Sequence, residues 1–450
     1  MTLEQIANLV SMQDCIDVLE DAFLELAEGR GAYRRRSDIC TPSTHPSGGM
    51  YALKSMDGVV PKLGVGAIRL NSDILTFPTV SDVKRRVKVP AAPNERYTGL
   101  VLLFSTATGA PLAISPDGMV QPMRVAATTA LGAKALSRDD ASVVTILGSG
   151  WQARSQARAI MCVRKIKEMR VYSTRATMRE AFAAEMSPIV GLNIKVYDDP
   201  AKACKEADIV LAATNAIVPV MKPEWVEKGM HISTIKPGEF SPAVVARADV
   251  TATLIDDCDP VFITSHGLRV PEEPGGELQN LAEEVGWNKL VTLPELLQDL
   301  HEGRNETRGR TTRSQVTCFL NPLGLGYQFA AVGSIIYRHA KEKHIGHELP
   351  TDWFTQDDDR RRAAEYLLGC IEVAVDDAAV KSLTRNLKLP APDQGNRKEL
   401  QRQAARSARA SLPVTPIIRT PMTDPLRKLT AVTACLKLRD CAAASTAHSL

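Results

Sequence analysis

From Ala141 to Ala153 the chain reads A-S-V-V-T-I-L-G-S-G-W-Q-A, and few folds accommodate such a stretch. Val143 to Leu147 form a short, β-branched apolar run of the kind a parallel sheet buries on both faces, and the run breaks straight into glycine. Gly148 ends the strand, Gly150 lets backbone approach a pyrophosphate, and Ala153 takes the third fingerprint position in place of glycine. The run Q-A-R-S-Q-A-R-A-I-M that follows is rich in helix formers, and such a helix aims its first N–H groups at phosphate. Gly148, Ser149, Gly150, Trp151, Gln152 and Ala153 are therefore expected to cradle a nucleotide. A Gly-x-Gly pair alone is weak evidence, but a second strand roughly twenty residues on supplies the context the fingerprint needs. That strand is Met169 to Tyr172, ending in Ser173-Thr174-Arg175. An NAD(H) site places Asp or Glu at such a tip for the ribose hydroxyl; here small polar groups and an arginine favour NADP(H) over NAD(H).

Alternation of strand and helix continues beyond the fingerprint. Asn193 to Tyr197 reads as a strand, and A-D-I-V-L-A-A-T-N ends at Thr214-Asn215, where a strand tip meets the nicotinamide ribose. Met230 to Ile235 and Val250 to Ile255 read as two more. Roughly six strands with intervening helices make a doubly wound parallel sheet, whose ligands bind beyond the carboxyl ends of the strands. The turn T-I-K-P-G-E-F then faces the site, with Ile235 beside the cofactor and Lys236 and Glu239 as its titratable groups.

The N-terminal third has a different pattern. Ile6 to Ala27 has helical spacing, with Ser11 and Asp14 as a capping box, and Gly29 and Gly31 stop it. After Arg34-Arg35-Arg36 come two strand-like runs, Met50 to Met56 and Gly64 to Leu70, with Lys54 and Arg69 inside their apolar alternation. An unpaired buried cation costs several kcal/mol, so each faces solvent or meets an anion, and a solvated sheet face is the default. Thr76 to Thr98 reads as a polar loop. Gly99 to Phe104 and Pro111 to Ile114 read as a hairpin about Thr108-Gly109. A helix from about Pro122 carries Arg124 in its first turn, where the dipole opposes a cation, so a carboxylate or phosphate should lie nearby.

Several segments together resemble the ornithine cyclodeaminase/mu-crystallin family. They are the arginines before P-S-T-H-P-S-G-G, then G-A-I-R-L, G-L-V-L-L-F-S-T-A-T-G-A-P-L-A, M-R-V-A-A-T-T-A-L-G-A-K-A-L, G-S-G-W-Q-A, A-D-I-V-L-A-A-T-N, H-I-S-T-I-K-P-G-E-F and C-F-L-N-P-L-G-L-G-Y-Q-F-A-A-V. The likeness spans about residues 1 to 345. It implies that Arg36 (or Arg34), Arg69 in place of a lysine, and Arg124 hold a substrate carboxylate; the residues themselves add Lys54 as a further candidate for the substrate and Arg124 as one for a cofactor phosphate. It further implies a homodimer that pairs its first domains. One feature departs from the family: the aspartate of its V-G-x-D-x-P-G-K turn is missing from T-I-K-P-G-E-F, which leaves Glu239 or Lys236 to handle the proton.

Composition bounds the rest. The charge is +3, yet residues 391–450 hold ten Lys/Arg against four Asp/Glu, and this +6 tail leaves −3 for the body. Such a body gives no case for nucleic acid. Nine scattered cysteines without a Cys-x-x-Cys pair fit a reducing compartment, and no apolar run reaches membrane-spanning length, so the cytoplasm is expected. His339, His344 and His347 read as a solvated helix end, with no metal. Phe319 to His339 is expected as a helix that folds back on the first domain. The expected fold is α/β: a Rossmann-type doubly wound parallel sheet over 126–315, inserted into an α+β substrate and dimerisation domain over 1–125 plus 316–350. Residues 351–386 are expected to be a helical extension and 387–450 a disordered tail. The expected function is NAD(P)-dependent chemistry on the α C–N bond of a small amino or imino acid, as a ketimine reductase or amino acid dehydrogenase. The alternatives are cyclisation of ornithine to proline with loss of ammonia, or NADPH-dependent ligand binding without turnover.

Overall fold

The structure, a computed structural model, describes residues 1–355 apart from 81–82, 85, 217, 237, 257–260, 269–289, 304–307 and 323. The tail expected to be disordered, and all but the first residues of the expected helical extension, lie outside the described residues.

The helix expected over Ile6–Ala27 is two helices, Leu3–Ala7 and Met12–Ala27, because each starts from its own capping box, at Thr2 and at Ser11. Ser11 Oγ accepts from the Asp14 N–H at 3.1 Å and the Asp14 carboxylate accepts from the Ser11 N–H at 2.9 Å, which stabilises the longer helix by about 1 kcal/mol.

The first sheet runs in the order Val261–Thr264, Ser37–Pro42, Met50–Val60, Val65–Thr76, Thr98–Ser105, Pro111–Pro116. Its pairs are antiparallel except that Val261–Thr264 lies parallel to Ser37–Pro42. Part of the stretch expected as a loop is extended: Thr79–Val80 pairs with Val83–Lys84, and Val87–Val89 adds to Val65–Thr76. Burial alternates along the two longest strands, interrupted at buried Gly66. On the inner face Met56, Val60, Val65, Ala67, Val101 and Leu103 are apolar, Asp38, Lys54, Arg69, Asn71 and Asp73 form an equally buried polar stretch, and Cys40, Met50, Ala52 and Leu75 make a second apolar cluster beyond it. The inner face thus carries a polar band between two apolar ones. Lys54 and Arg69 do not face solvent, contrary to the default for a half-exposed sheet, because Asp73 on the neighbouring strand meets Lys54 and Asp117, just past strand Pro111–Pro116, meets Arg69.

Helix Gly326–Glu342 covers the first of the two apolar bands. Tyr327 Oη donates to the Ala22 carbonyl at 2.7 Å, tying this helix to Met12–Ala27. A Cβ at Gly326 would overlap the Asp57 backbone, so glycine permits the helix to touch the sheet.

The second sheet is wholly parallel. Its order is Lys195–Tyr197, Glu168–Tyr172, Val143–Leu147, Ile209–Ala212, His231–Thr234, Thr317–Leu320, Val250–Thr253, Leu290–Thr292. The doubly wound architecture is as expected, with more strands. Phe319 and Leu320 belong to a strand rather than to the start of a helix, since Thr317–Leu320 is a short buried run that Asn321-Pro322 breaks before helix Gly326–Glu342 begins. Winding reverses on either side of Val143–Leu147, which opens the ligand crevice at its carboxyl end and that of Ile209–Ala212.

Candidate active site

The nucleotide cradle follows from local chemistry. Gly148 has φ +121°, a conformation side chains disfavour, and a Cβ there would strike the Ala213 carbonyl. Its N–H donates to the Tyr172 carbonyl at 2.8 Å, so three strand tips converge on one residue. Gly150 is the N-cap of helix Trp151–Val163 and supplies no side-chain cap, which leaves the first-turn N–H groups to an anion. Ala153 is buried against the sheet, whereas Trp151 is 57% exposed. Gln152 Oε1 is buried without a partner. Ser149 and Ser173 hydroxyls meet at 2.9 Å, joining the two tips that an adenosine ribose would touch. Thr174 and Arg175 are exposed beside them. Arg179, which the sequence did not single out, donates to the Ser173 carbonyl at 3.0 Å and has an unpartnered Nε. These features fit a dinucleotide, and among the described residues no carboxylate hydrogen-bonds Ser173, Thr174 or Arg175.

Above this crevice the arginines gather. Arg36 makes two bonds to Asp38, at 2.8 and 2.9 Å. Arg69 lies against Asp117 at 2.7 Å. Arg124 donates to Gln328 Oε1 at 2.9 Å and Gln121 Oε1 at 3.0 Å, its Nε is buried without a partner, and it has no carboxylate partner among the described residues. Burial, then the nearby Arg69 charge, pushes Arg124 down to about 9. Arg69 and Arg124 both stack on the Phe329 ring, 5.5 and 5.2 Å from its centre. Lys54 is 3.4 Å from Asp73, and burial, then the Arg86 charge, pushes it down to about 8. Asn321, at the tip of Thr317–Leu320, donates to the Val125 carbonyl at 3.1 Å and so brings Arg124 to the carboxyl edge of the parallel sheet.

Glu239 and Lys236 sit elsewhere. Glu239 is fully buried: Oε1 accepts from the Thr214 N–H and hydroxyl, both at 2.7 Å. Its Oε2 accepts from the Thr234 hydroxyl at 2.6 Å and from the Ile235 and Lys236 N–H groups. This carboxylate clamps two strand tips and makes no bond to the arginines. Lys236 Nζ donates to the Ala216 carbonyl at 2.9 Å, and Asn215 is exposed next to it. His339 Nδ1 is 2.7 Å from the Leu9 carbonyl, and no metal-holding group of three His, Cys, Asp or Glu occurs among the described residues.

Sequence reasoning passed over Asp117, Gln328 and Phe329. Asp117-Gly118 reads as a turn, and Phe329 as one more apolar helix residue. Gln328, a polar residue inside the run Y-Q-F-A-A-V, was the one available signal.

Residues 1–251 match the model of the ornithine cyclodeaminase/mu-crystallin family. A Delta(1)-pyrroline-2-carboxylate reductase of Bacillus cereus is 30% identical over 256 residues, 57% of this chain and 75% of that protein. An alanine dehydrogenase of Archaeoglobus fulgidus is 25% identical over 354 residues, covering 78% and 97%. The solved Delta(1)-pyrroline-2-carboxylate reductase of Thermococcus litoralis, in complex with NADH and L-proline, superposes with a TM-score of 0.62 at 24% identity, over 78% of this chain and 99% of that one. A fingerprint turn, an arginine cluster at the carboxyl edge of the parallel sheet and these likenesses agree: the chain belongs to the ornithine cyclodeaminase/mu-crystallin family.

Proposed function

We propose that this chain is an NADP(H)-dependent oxidoreductase of the ornithine cyclodeaminase/mu-crystallin family that reduces a small ketimine, or oxidises the matching amino acid, at the α C–N bond. The observation that carries the reading is Arg124, a buried guanidinium with an orphaned N–H and no carboxylate partner among the described residues, beside the carboxyl edge of the nucleotide sheet. A buried cation of this kind is costly until an anion arrives, and a substrate carboxylate is that anion. When bound, the dinucleotide supplies or takes the hydride. The protein orients the substrate: Arg124 grips the carboxylate, Phe329 and Gln328 hold Arg124 at a fixed angle, and Arg69 with Arg36 sets the local potential. Lys236 is assigned the proton, because its ammonium has a single carbonyl acceptor whereas both Glu239 oxygens are engaged.

Ser173, Thr174, Arg175 and the adjacent Arg179, with no acid among them, support the preference for NADP(H). Among the described residues no helix is long and apolar enough to cross a membrane, and we place the enzyme in the cytoplasm. We also assign a homodimer through the outward face of the first sheet, where Leu53, Val59, Ile68, Leu100 and Ile114 are exposed and Val59 and Ile68 line a hollow of about 490 Å³.

The test is a fluorescence titration with NADPH and NADH, then turnover with cyclic ketimines. Tighter NADPH binding with oxidation on adding an imine supports the reading. Arg124→Met should raise the apparent KM about 100-fold, as expected for losing a charge-assisted grip, and leave nucleotide affinity unchanged. Binding without turnover on any imino or amino acid favours a ligand carrier, and proline formed from ornithine favours the cyclodeaminase.

A further inference from the structure

Among the described cations around this polar patch, Arg36 has Asp38, Arg69 has Asp117, and Lys54 shares Asp73 with Lys88, which lies nearer it at 2.9 Å. Arg124, on the helix beside the patch, meets only neutral amide oxygens. That leaves Arg124 to receive a ligand carboxylate.

Asp117 itself is half used. Its Oδ2 accepts from Arg69 Nε at 2.8 Å and from Asn71 Nδ2 at 3.2 Å, while Oδ1 receives no hydrogen bond among the described residues. Oδ1 lies over Gly99, where a Cβ would overlap both it and Asn71 Nδ2. Asp38, Lys54, Asn71 and Gly99 stand opposite one another across four strands, and the Asp117 N–H donates to the Gly99 carbonyl at 3.0 Å, which completes the row. The vacant acceptor therefore shares the inner face with Arg69, and Arg69, Asp117 and Arg36 are the charges that Arg124 feels.

We propose that Asp117 Oδ1 accepts the N–H of the substrate's amino or iminium nitrogen while Arg124 holds its carboxylate, so that Asp117 restricts the site to carboxylates bearing an α-nitrogen. This rests on the amino or imino acid reading above and adds to it which group recognises the nitrogen.

L-proline and cyclopentanecarboxylate test it, since they share ring and carboxylate and differ at the nitrogen. With the enzyme saturated with NADP+, the wild type should bind L-proline at least tenfold more tightly than cyclopentanecarboxylate. Asp117→Asn should weaken L-proline at least tenfold without weakening cyclopentanecarboxylate, and leave the nucleotide Kd unchanged. Equal affinity of the wild type for the two ring compounds, or an equal loss of both in the variant, overturns the proposal and leaves the wider function standing. If the wild type binds NADP+ but neither ring compound, the amino or imino acid reading falls, and this proposal with it.

Discussion

Gly148 gives the clearest constraint at the residue scale. With φ at +121° and the Ala213 carbonyl where a Cβ would go, Gly148→Ala must shift the turn that holds the pyrophosphate. NADPH affinity in that variant should fall by at least tenfold in a fluorescence titration, and near-wild-type affinity would show that the turn does not seat the nucleotide. His231 controls a pH response. It is buried with Nδ1 3.0 Å from the Thr317 hydroxyl, and burial pushes it down to about 3. Unfolded, it titrates near about 6.5, so between these values only the unfolded chain takes up its proton, and stability falls as pH drops, by about 1.4 kcal/mol per unit. Thermal melts from pH 7 to pH 5 should therefore show a steeper fall for the wild type than for His231→Gln. The glycine turn was legible because its chemistry is local. Asp117 was not, because the Arg69 that gives it meaning lies 48 residues earlier and only strand pairing brings them together.

Among elements, those whose signal is periodic or local were readable. The fingerprint strand, the hairpin about Thr108-Gly109 and the capping box at Ser11 all lie where spacing and turn chemistry indicate. Two others needed the assembled sheet. Val261–Thr264 is a strand because it finds Ser37–Pro42, and Thr317–Leu320 is one because it slots between His231–Thr234 and Val250–Thr253. Neither run is long enough to state its own conformation. Helix Gly326–Glu342 ties structure to site: Gly326 lets it touch the sheet, and two residues on Gln328 and Phe329 steady the arginines. Gly326→Ala pushes the helix off Asp57, at a cost of about 1 to 3 kcal/mol. That variant should melt several degrees lower and show a raised substrate KM with an unchanged nucleotide Kd; a lower melting temperature with unaltered KM would separate the helix from the site.

Across the whole molecule, one sheet serves two surfaces. Alternation along the strands sends Lys54, Arg69 and Asn71 inward to the site and Leu53, Ile68 and Leu100 outward. The outward row is the face assigned to the homodimer, and Ile68→Asp should give a monomer in sedimentation velocity while the wild type sediments as a dimer. A variant that stays dimeric would move the interface elsewhere. The doubly wound nucleotide sheet was legible as a fold. The pairing of each cation with its carboxylate was not, because periodicity marks which face a residue takes and says nothing of its cross-strand neighbour. The central claim is hydride transfer at the α-carbon, and the most direct measurement uses NADPH carrying deuterium at the transferable nicotinamide C4 position with a cyclic ketimine. Mass spectrometry should find one deuterium on the α-carbon of the amino acid product. NADPH consumed without deuterium in that product, or bound without any product, would contradict the account.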